Sequence, residues 1–203
     1  MDKQEVIDNF FNLYIENRLG QRAWWCGESI QKSPFDAWIF QEIICERKPD
    51  IIIECGTADG GSALFMAMIM DRIGKGKILT IENEFHRGQP KHKRIKYFRG
   101  SSTDNKIFEK VKFQIKETDK VMVILDSDHH SEHVSKELEM YHSLITQDQY
   151  LIVEDTFWEP DDGTGGPAKA KDEFLRGHSE FVVDKEREKF MMTYNENGYL
   201  LKQ

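Results

Sequence analysis

Ile51-Ile52-Ile53-Glu54-Cys55-Gly56-Thr57-Ala58-Asp59-Gly60-Gly61-Ser62 is an apolar run that ends in an acid, breaks into a glycine-rich turn and leads into a helical pattern from Ala63 to Arg72. Strand, tight turn and helix in that order open a nucleotide-type cofactor site on a parallel sheet. A second acid, Glu82, closes the next apolar run, Lys77-Ile78-Leu79-Thr80-Ile81. It stands where a ribose diol would lie if the first turn held the rest of the ligand. Two acids ending consecutive strands suit a ribose-bearing ligand with positive charge, and S-adenosylmethionine meets both requirements. The turn reads G-x-x-x-G-G rather than G-x-G-x-x-G, and no Lys-Ser or Lys-Thr follows it. Dinucleotides and triphosphates therefore lose weight. A strand-to-helix turn with no ligand is the plainer reading of the same residues.

The chain of 203 residues is long enough for one α/β domain with a full core and short for two. The expectation is a single domain over 1–203, with a helical cap at 1–48 and the sheet at 49–203. A formal net charge of −8 argues against a nucleic-acid partner. The apolar runs are strand-sized and the first residues, Met1 to Glu5, lack a cationic-then-apolar pattern, so neither a membrane span nor a signal peptide is expected. Three cysteines, Cys26, Cys45 and Cys55, stand at no metal-ligand spacing, which favours reduced thiols and a cytoplasmic location. Cys55 is expected to pack beneath the turn.

Outward from the turn, the pattern alternates. Amphipathic helical patterns run from Gln4 to Leu19 and from Pro34 to Arg47, with Ser33-Pro34 as cap and first position and an aromatic loop, Ala23 to Gly27, between them. Beyond Glu82 come a short strand at Lys96 to Arg99, a helix from Asp104 to Ile115, a strand from Val121 to Asp126 and a helix from Ser131 to Leu144. A strand from Tyr150 to Glu154 and a helix from Ala168 to Gly177 follow. Closing strands are expected at Phe181 to Val183, Phe190 to Tyr194 and Tyr199 to Leu201. Strands joined by crossover helices imply a mostly parallel sheet with helices on both faces and a ligand site at the carboxyl ends of the strands. The loop Asp161 to Pro167 has the length and the glycines of a lid.

Val121 to Leu125 delivers Asp126, and Tyr150 to Val153 delivers Glu154 and Asp155. Neighbouring parallel strands would bring these three carboxylates to one rim, where they repel one another unless a cation intervenes. Mg²⁺ answers that need with oxygen ligands. The alternative is that Asp126 and Asp155 are turn or helix caps. His129, three residues past Asp126, is the candidate base, because an ordinary imidazole takes a proton near neutrality. Asp128 is the substitute base, while His130 and His133 read as early helix positions.

Asp126-Ser127-Asp128-His129, with Glu154-Asp155 28 residues later (154 minus 126), resembles the cation-dependent catechol and caffeoyl-coenzyme A O-methyltransferases. That resemblance implies a metal ligand at Asp126, with His129 in place of a lysine base. It also implies an adenine-side segment at Gly100 to Asp104, with Ser102 near the adenine amine. A closer resemblance, to the family called cephalosporin hydroxylase with its sugar and rhamnosyl O-methyltransferases, spans nearly the whole chain. It rests on Gly27 to Asp36, Glu54 to Ser62, Leu125 to His129, Leu151 to Thr156 and Lys189 to Asn195.

The family implies a Rossmann-like methyltransferase fold, S-adenosylmethionine and Mg²⁺, and leaves the acceptor open: a sugar, a glycolipid or a natural-product precursor. Self-association is frequent in enzymes of this resemblance. On this reading Glu54, Gly56, Thr57, Gly60, Ser62, Glu82, Ser102 and Asp126 face the cofactor, Asp126, Glu154 and Asp155 hold the metal, and His129 with Asp128 carries the proton. Trp24, Trp25, Phe157 and Trp158 are candidates for stacking on an acceptor. The rivals are an iron oxygenase, with a facial triad of His130, Glu132 and a distant His142 or His178, and a non-catalytic protein that retains the cofactor pocket.

Overall fold

β-branched residues dominate the apolar runs, and a residue branched at Cβ fits a pleated surface better than a helix turn. In the computed structural model, which describes residues 2–84 and 88–203, these runs form a seven-stranded sheet. The chain opens with α1 (Lys3–Glu16), a hairpin of β1 (Trp24–Trp25) and β2 (Glu28–Ser29), and α2 (Pro34–Arg47). The alternating section follows: β3 (Ile51–Cys55), α3 (Gly61–Ile73), β4 (Lys77–Glu82), β5 (Ile95–Arg99), α4 (Asn105–Lys112), β6 (Val121–Leu125), α5 (Ser131–Tyr141) and β7 (Tyr150–Val153). It closes with α6 (Pro167–Gly177), β8 (Phe181–Val183) and β9 (Tyr199–Lys202). The sheet order is β5-β4-β3-β6-β7-β9-β8, parallel from β5 to β7, with β9 antiparallel to both of its neighbours.

Side chains alternate across the sheet and both faces are covered, which is why the central strands read as unbroken apolar runs. Ile51, Ile53, Val121, Val123, Leu151 and Val153 pack with Ile107 of α4, Leu138 of α5 and Phe174 of α6. Ile52, Met122, Ile124 and Ile152 pack on the other face with Ile43 of α2 and Met66 of α3. Helix boundaries follow their capping residues: Asp2 and Glu5 form a capping box on α1, Ser33 and Pro34 open α2, and Asp104 caps α4. Helix α1 buries only Tyr14 and leaves Val6, Phe10 and Leu13 exposed.

Two local expectations fail. The aromatic loop is a short hairpin, with Trp25 paired opposite Glu28. Phe190 to Tyr194 is not a strand. Its backbone is claimed by a side chain instead: buried Asp36 of α2 accepts hydrogen bonds from Tyr194 N (2.9 Å), the Thr193 hydroxyl (2.5 Å) and the Tyr199 hydroxyl (2.8 Å). A main-chain group satisfied by a carboxylate has no need of a ladder partner.

Asp36→Ala would leave those three donors without their acceptor, the Tyr199 hydroxyl among them fully buried. The variant should lose about 3 kcal/mol of stability. Urea unfolding would show this as a lower midpoint at unchanged m-value.

Candidate active site

The register sets the site. Cys55 pairs with Leu125 and Leu125 with Val153, so β3, β6 and β7 end at one rim, and Glu82 ends β4 beside them. Beyond that rim lies a cleft of about 930 Å³. Gly56, Thr57, Ser62, Glu82, Ser102, Asp126, Asp128, His129 and Asp155 all line it.

Gly56 takes φ +97°, and a Cβ there would fall 1.8 Å from the Asp126 carbonyl oxygen, so only glycine lets the turn cross β6 this closely. At Gly61 a Cβ would meet the Ser29 carbonyl oxygen at 2.1 Å, which fixes the hairpin against the start of α3. Glu82 ties the turn from the β4 side. One of its oxygens accepts from the amides of Thr57 (3.1 Å) and Ala58 (2.8 Å), the other from those of Asn83 and Glu84. Gly60, the cap position before α3, has no side chain to bond the first-turn amides, and Gly61 and Ser62 of that turn line the cleft.

Glu54 departs from expectation. It is fully buried, and its two oxygens accept from the hydroxyls of Ser62 (2.5 Å) and Thr80 (2.6 Å) rather than facing the cleft. Glu54 lies one residue inside β3 and shares the face of Ile52, toward α2 and α3, so it braces the turn from below. Burial, opposed by Lys32 and by those hydroxyls, pushes its carboxyl up to about 7. Gly60 caps α3 without lining the cleft. Cys55 is fully buried.

The acidic rim holds a cation that the sequence reading missed. Lys32, in the segment between β2 and α2, is 3% exposed, and its ammonium sits 2.8 Å from Asp126 Oδ2 and 2.5 Å from Glu154 Oε1. Burial opposes its charge, but Asp126, Glu154 and Glu54 outweigh that and hold the proton on. On the other side of Asp126 is His129. Its Nε2 lies 3.6 Å from Asp126 Oδ1 and 3.2 Å from Asp155 Oδ2, buried and without a hydrogen bond. One ligand atom each from Asp126, His129 and Asp155 lies within 4.8 Å of the other two.

Burial would lower the His129 pKa, yet the two facing carboxylates raise it to about 10. Burial also works to raise Asp126, which Lys32 and His129 override, holding it below the ordinary range. Glu154 is driven well up by burial and by the neighbouring Asp126 charge. The predicted acids therefore do meet, with Asp126 and Asp155 converging beside His129 while Glu154 turns to Lys32.

Asp128 is half exposed and accepts from the backbone (2.9 Å) and ring Nδ1 (2.7 Å) of His130, the capping position of α5. His133, read from the sequence as a helix-surface residue, lines the cleft instead. It bridges Ser102 Oγ (3.1 Å) and buried Glu137 (3.4 Å), the latter also held by Ser127. Tyr141 donates to the Ser102 carbonyl, so the expected adenine-side residue is fixed through both its hydroxyl and its backbone.

Phe157, Trp158 and Tyr194 form an aromatic wall, with Phe11 of α1 edge-on to Phe157 and Trp158 near the rings of His129 and His130. Trp24 is exposed and Trp25 packs on Phe65, so neither lines the cleft. The loop 161–167 is tied to α5, where Ser131 donates to the carbonyls of Gly165 and Thr164. His130 and His142 lie at opposite ends of α5, about 18 Å apart along its axis. A facial triad joining them has no geometry here.

A parallel sheet with a glycine turn over Glu82 and an acidic rim beyond the next strands is the architecture of a Rossmann-like O-methyltransferase. Residues 17–203 match the family described as Rhamnosyl O-methyltransferase/CmcI, and the chain belongs to that family. It is 34% identical over 212 residues to the rhamnosyl O-methyltransferase of Mycobacterium bovis, across 97% of this chain and 85% of that one. Its counterpart in Mycobacterium leprae is 32% identical over 209 residues, across 97% and 90%. A CmcI structure solved with Mg and SAM superposes with a TM-score of 0.71 at 19% identity, covering 90% of this chain and 77% of that one. The O-methyltransferase from Bacillus cereus in complex with SAH gives 0.60 at 14%, covering 90% and 83%. Both share this fold.

Lys32→Met would leave Asp126 and Glu154 facing each other without their counter-charge. A loss of about 3–5 kcal/mol is expected, visible as a lower melting midpoint that recovers as the pH falls and Glu154 takes a proton. Glu54 gives the second test. Its folded pKa of about 7 lies above the ordinary value of 4.5, so its contribution is fully present below about 4.5 and fades as the pH rises to 7. Glu54→Gln should flatten the stability profile in that window by up to about 1.4 kcal/mol per pH unit, measured by urea titrations across pH.

Proposed function

We propose that this chain transfers the methyl group of S-adenosylmethionine to a hydroxyl of a sugar-type small molecule, with Mg²⁺ held at the acidic rim. The carrying observation is the convergence of one ligand atom each from Asp126, His129 and Asp155 within 4.8 Å, next to the glycine turn. Charge counting supports a divalent ion. With all three carboxyls ionised, Asp126, Glu154 and Asp155 bring three negative charges against one positive charge on Lys32, which leaves two uncompensated when His129 is neutral (three minus one). Oxygen donors of this kind fit Mg²⁺. The names of the relatives, rhamnosyl O-methyltransferases at 34% and 32% identity, support a sugar acceptor.

In this reading the donor lies along the turn. Glu82 would take the ribose hydroxyls in exchange for its longest amide bonds, those from Glu84 (3.3 Å) and Thr57 (3.1 Å), Gly56, Thr57 and Ser62 border the methionine end, and the uncapped start of α3 receives its carboxylate. Ser102, held by His133 and Tyr141, borders the adenine. Asp126 and Asp155 would hold the cation, with Glu154 engaged by Lys32 behind them, and its charge, once bound, acidifies an acceptor hydroxyl. His129 Nε2 takes the hydroxyl proton. The two carboxylates that raise its pKa are those whose charge the cation would neutralise, so the imidazole regains an open lone pair beside the acceptor. Phe157, Trp158 and Tyr194 offer apolar faces to a sugar ring and exclude water from the reacting oxygen. Orientation of acceptor oxygen, methyl group and base supplies most of the acceleration.

EDTA should abolish methyl transfer to rhamnosides or nucleotide sugars while S-adenosylmethionine still binds in calorimetry. Turnover that persists in chelator would assign the charge role to Lys32 and remove the metal. His129→Gln should lower kcat by about 10²- to 10⁴-fold with cofactor affinity kept. Glu82→Gln should weaken cofactor binding by roughly tenfold, about 1.4 kcal/mol, while Mg²⁺ dependence is retained.

A further inference from the structure

We propose that Glu139, His142 and His178 form a second metal site, for a nitrogen-preferring divalent ion such as Zn²⁺, remote from the cleft. One ligand atom from each of the three residues falls within 4.8 Å of the other two. Glu139 and His142 stand three residues apart at the end of α5, a spacing that puts both on one helix face. His178 is the residue that ends α6.

An independent observation concerns the His178 ring. Its Nδ1 lies 2.9 Å from the Phe174 carbonyl oxygen, which can only accept, so Nδ1 carries the proton and Nε2 is left with a lone pair. A backbone carbonyl that fixes the tautomer of an imidazole in this way is the usual outer partner of a metal-bound histidine. The ring is further held by stacking on Phe174 at 3.9 Å and 14°. His142 meets it at 4.6 Å and also packs edge-on against Phe174. Both imidazoles are half-buried and ordered by packing, while Glu139 is exposed and completes the set from the solvent side.

Glu180 adds negative charge near His142. Lys202, which donates to the carbonyls of Ile145 (2.8 Å) and His142 (3.3 Å), opposes it. Two imidazoles and one carboxylate suit Zn²⁺, with water in the remaining position, and suit Mg²⁺ poorly.

The site has a mechanical role open to it. Near the cleft, Ser131 at the start of α5 is bonded to Gly165 and Thr164 in the loop that leads into α6. An ion on Glu139, His142 and His178 would join the other ends of the two helices, about 16 Å away along α5.

The test uses the full chain carrying Asp126→Asn and Asp155→Asn, which silences the cleft. Calorimetry should then show one Zn²⁺ per chain and no Mg²⁺, and the melting midpoint should rise by about 5–10 °C at a hundredfold excess over Kd. Adding Glu139→Gln, a change at an exposed side chain that leaves the core intact, or His178→Gln should weaken Zn²⁺ binding by more than about tenfold and remove that rise. Co²⁺ substituted at the site should show the visible absorption of a low-coordinate nitrogen and oxygen set, absent in His178→Gln. The proposal is overturned if the cleft-silenced chain binds no Zn²⁺, or if Glu139→Gln and His178→Gln bind it undiminished.

Discussion

The ammonium of Lys32, buried between Asp126 and Glu154, is the charge that lets acidic strand ends meet on the rim of this sheet. Carboxylates this close repel by several kcal/mol in a poorly solvated setting, and folding would keep them apart or protonate them. Lys32 offsets two of them from the side of α2, and His129 faces the second oxygen of Asp126 together with Asp155. The rim is thus balanced by two groups of different kinds. The lysine is permanently charged, whereas the imidazole can give its proton up when another positive charge arrives.

The glycine turn depends on a similar arrangement of carboxylates beneath and beside it. Glu54 and Glu82 sit on adjacent strands but on different sides of the turn, one fully buried under hydroxyls and the other gripping backbone amides at the mouth of the cleft. The turn is held from both directions, so its shape is set by these side chains without needing a bound ligand to order it. A turn preorganised in this way lowers the ordering cost when a ligand arrives.

The parallel sheet, its strand boundaries and most cleft residues were legible in the sequence, because apolar runs ending in acids fix both the strand and the edge at which it ends. Side-chain direction at those ends was harder. Glu54 counts as a strand-end acid by position but shares the parity of Ile52, and Glu154 shares that of Ile152, so both point to the α2 side. Asp155, one residue on, faces His129. Lys32 was missed because its partners are 94 and 122 residues away, a pairing that no local period encodes. Phe190 to Tyr194 reads as a strand by composition, and only the reach of Asp36 from α2 turns it into an irregular segment.

The antiparallel strand β9 lies inside the sheet, between β7 and β8. During synthesis the parallel strands therefore wait with β7 as an unfinished edge until residues 199–202 have cleared the ribosome. The same residues bring Tyr199 to Asp36, a partner made more than 160 positions earlier. Contacts so distant along the chain slow folding and leave a bare apolar edge open to other nascent chains. A fold closed in this order gains from chaperone cover during translation more than one whose neighbouring strands follow one another along the chain.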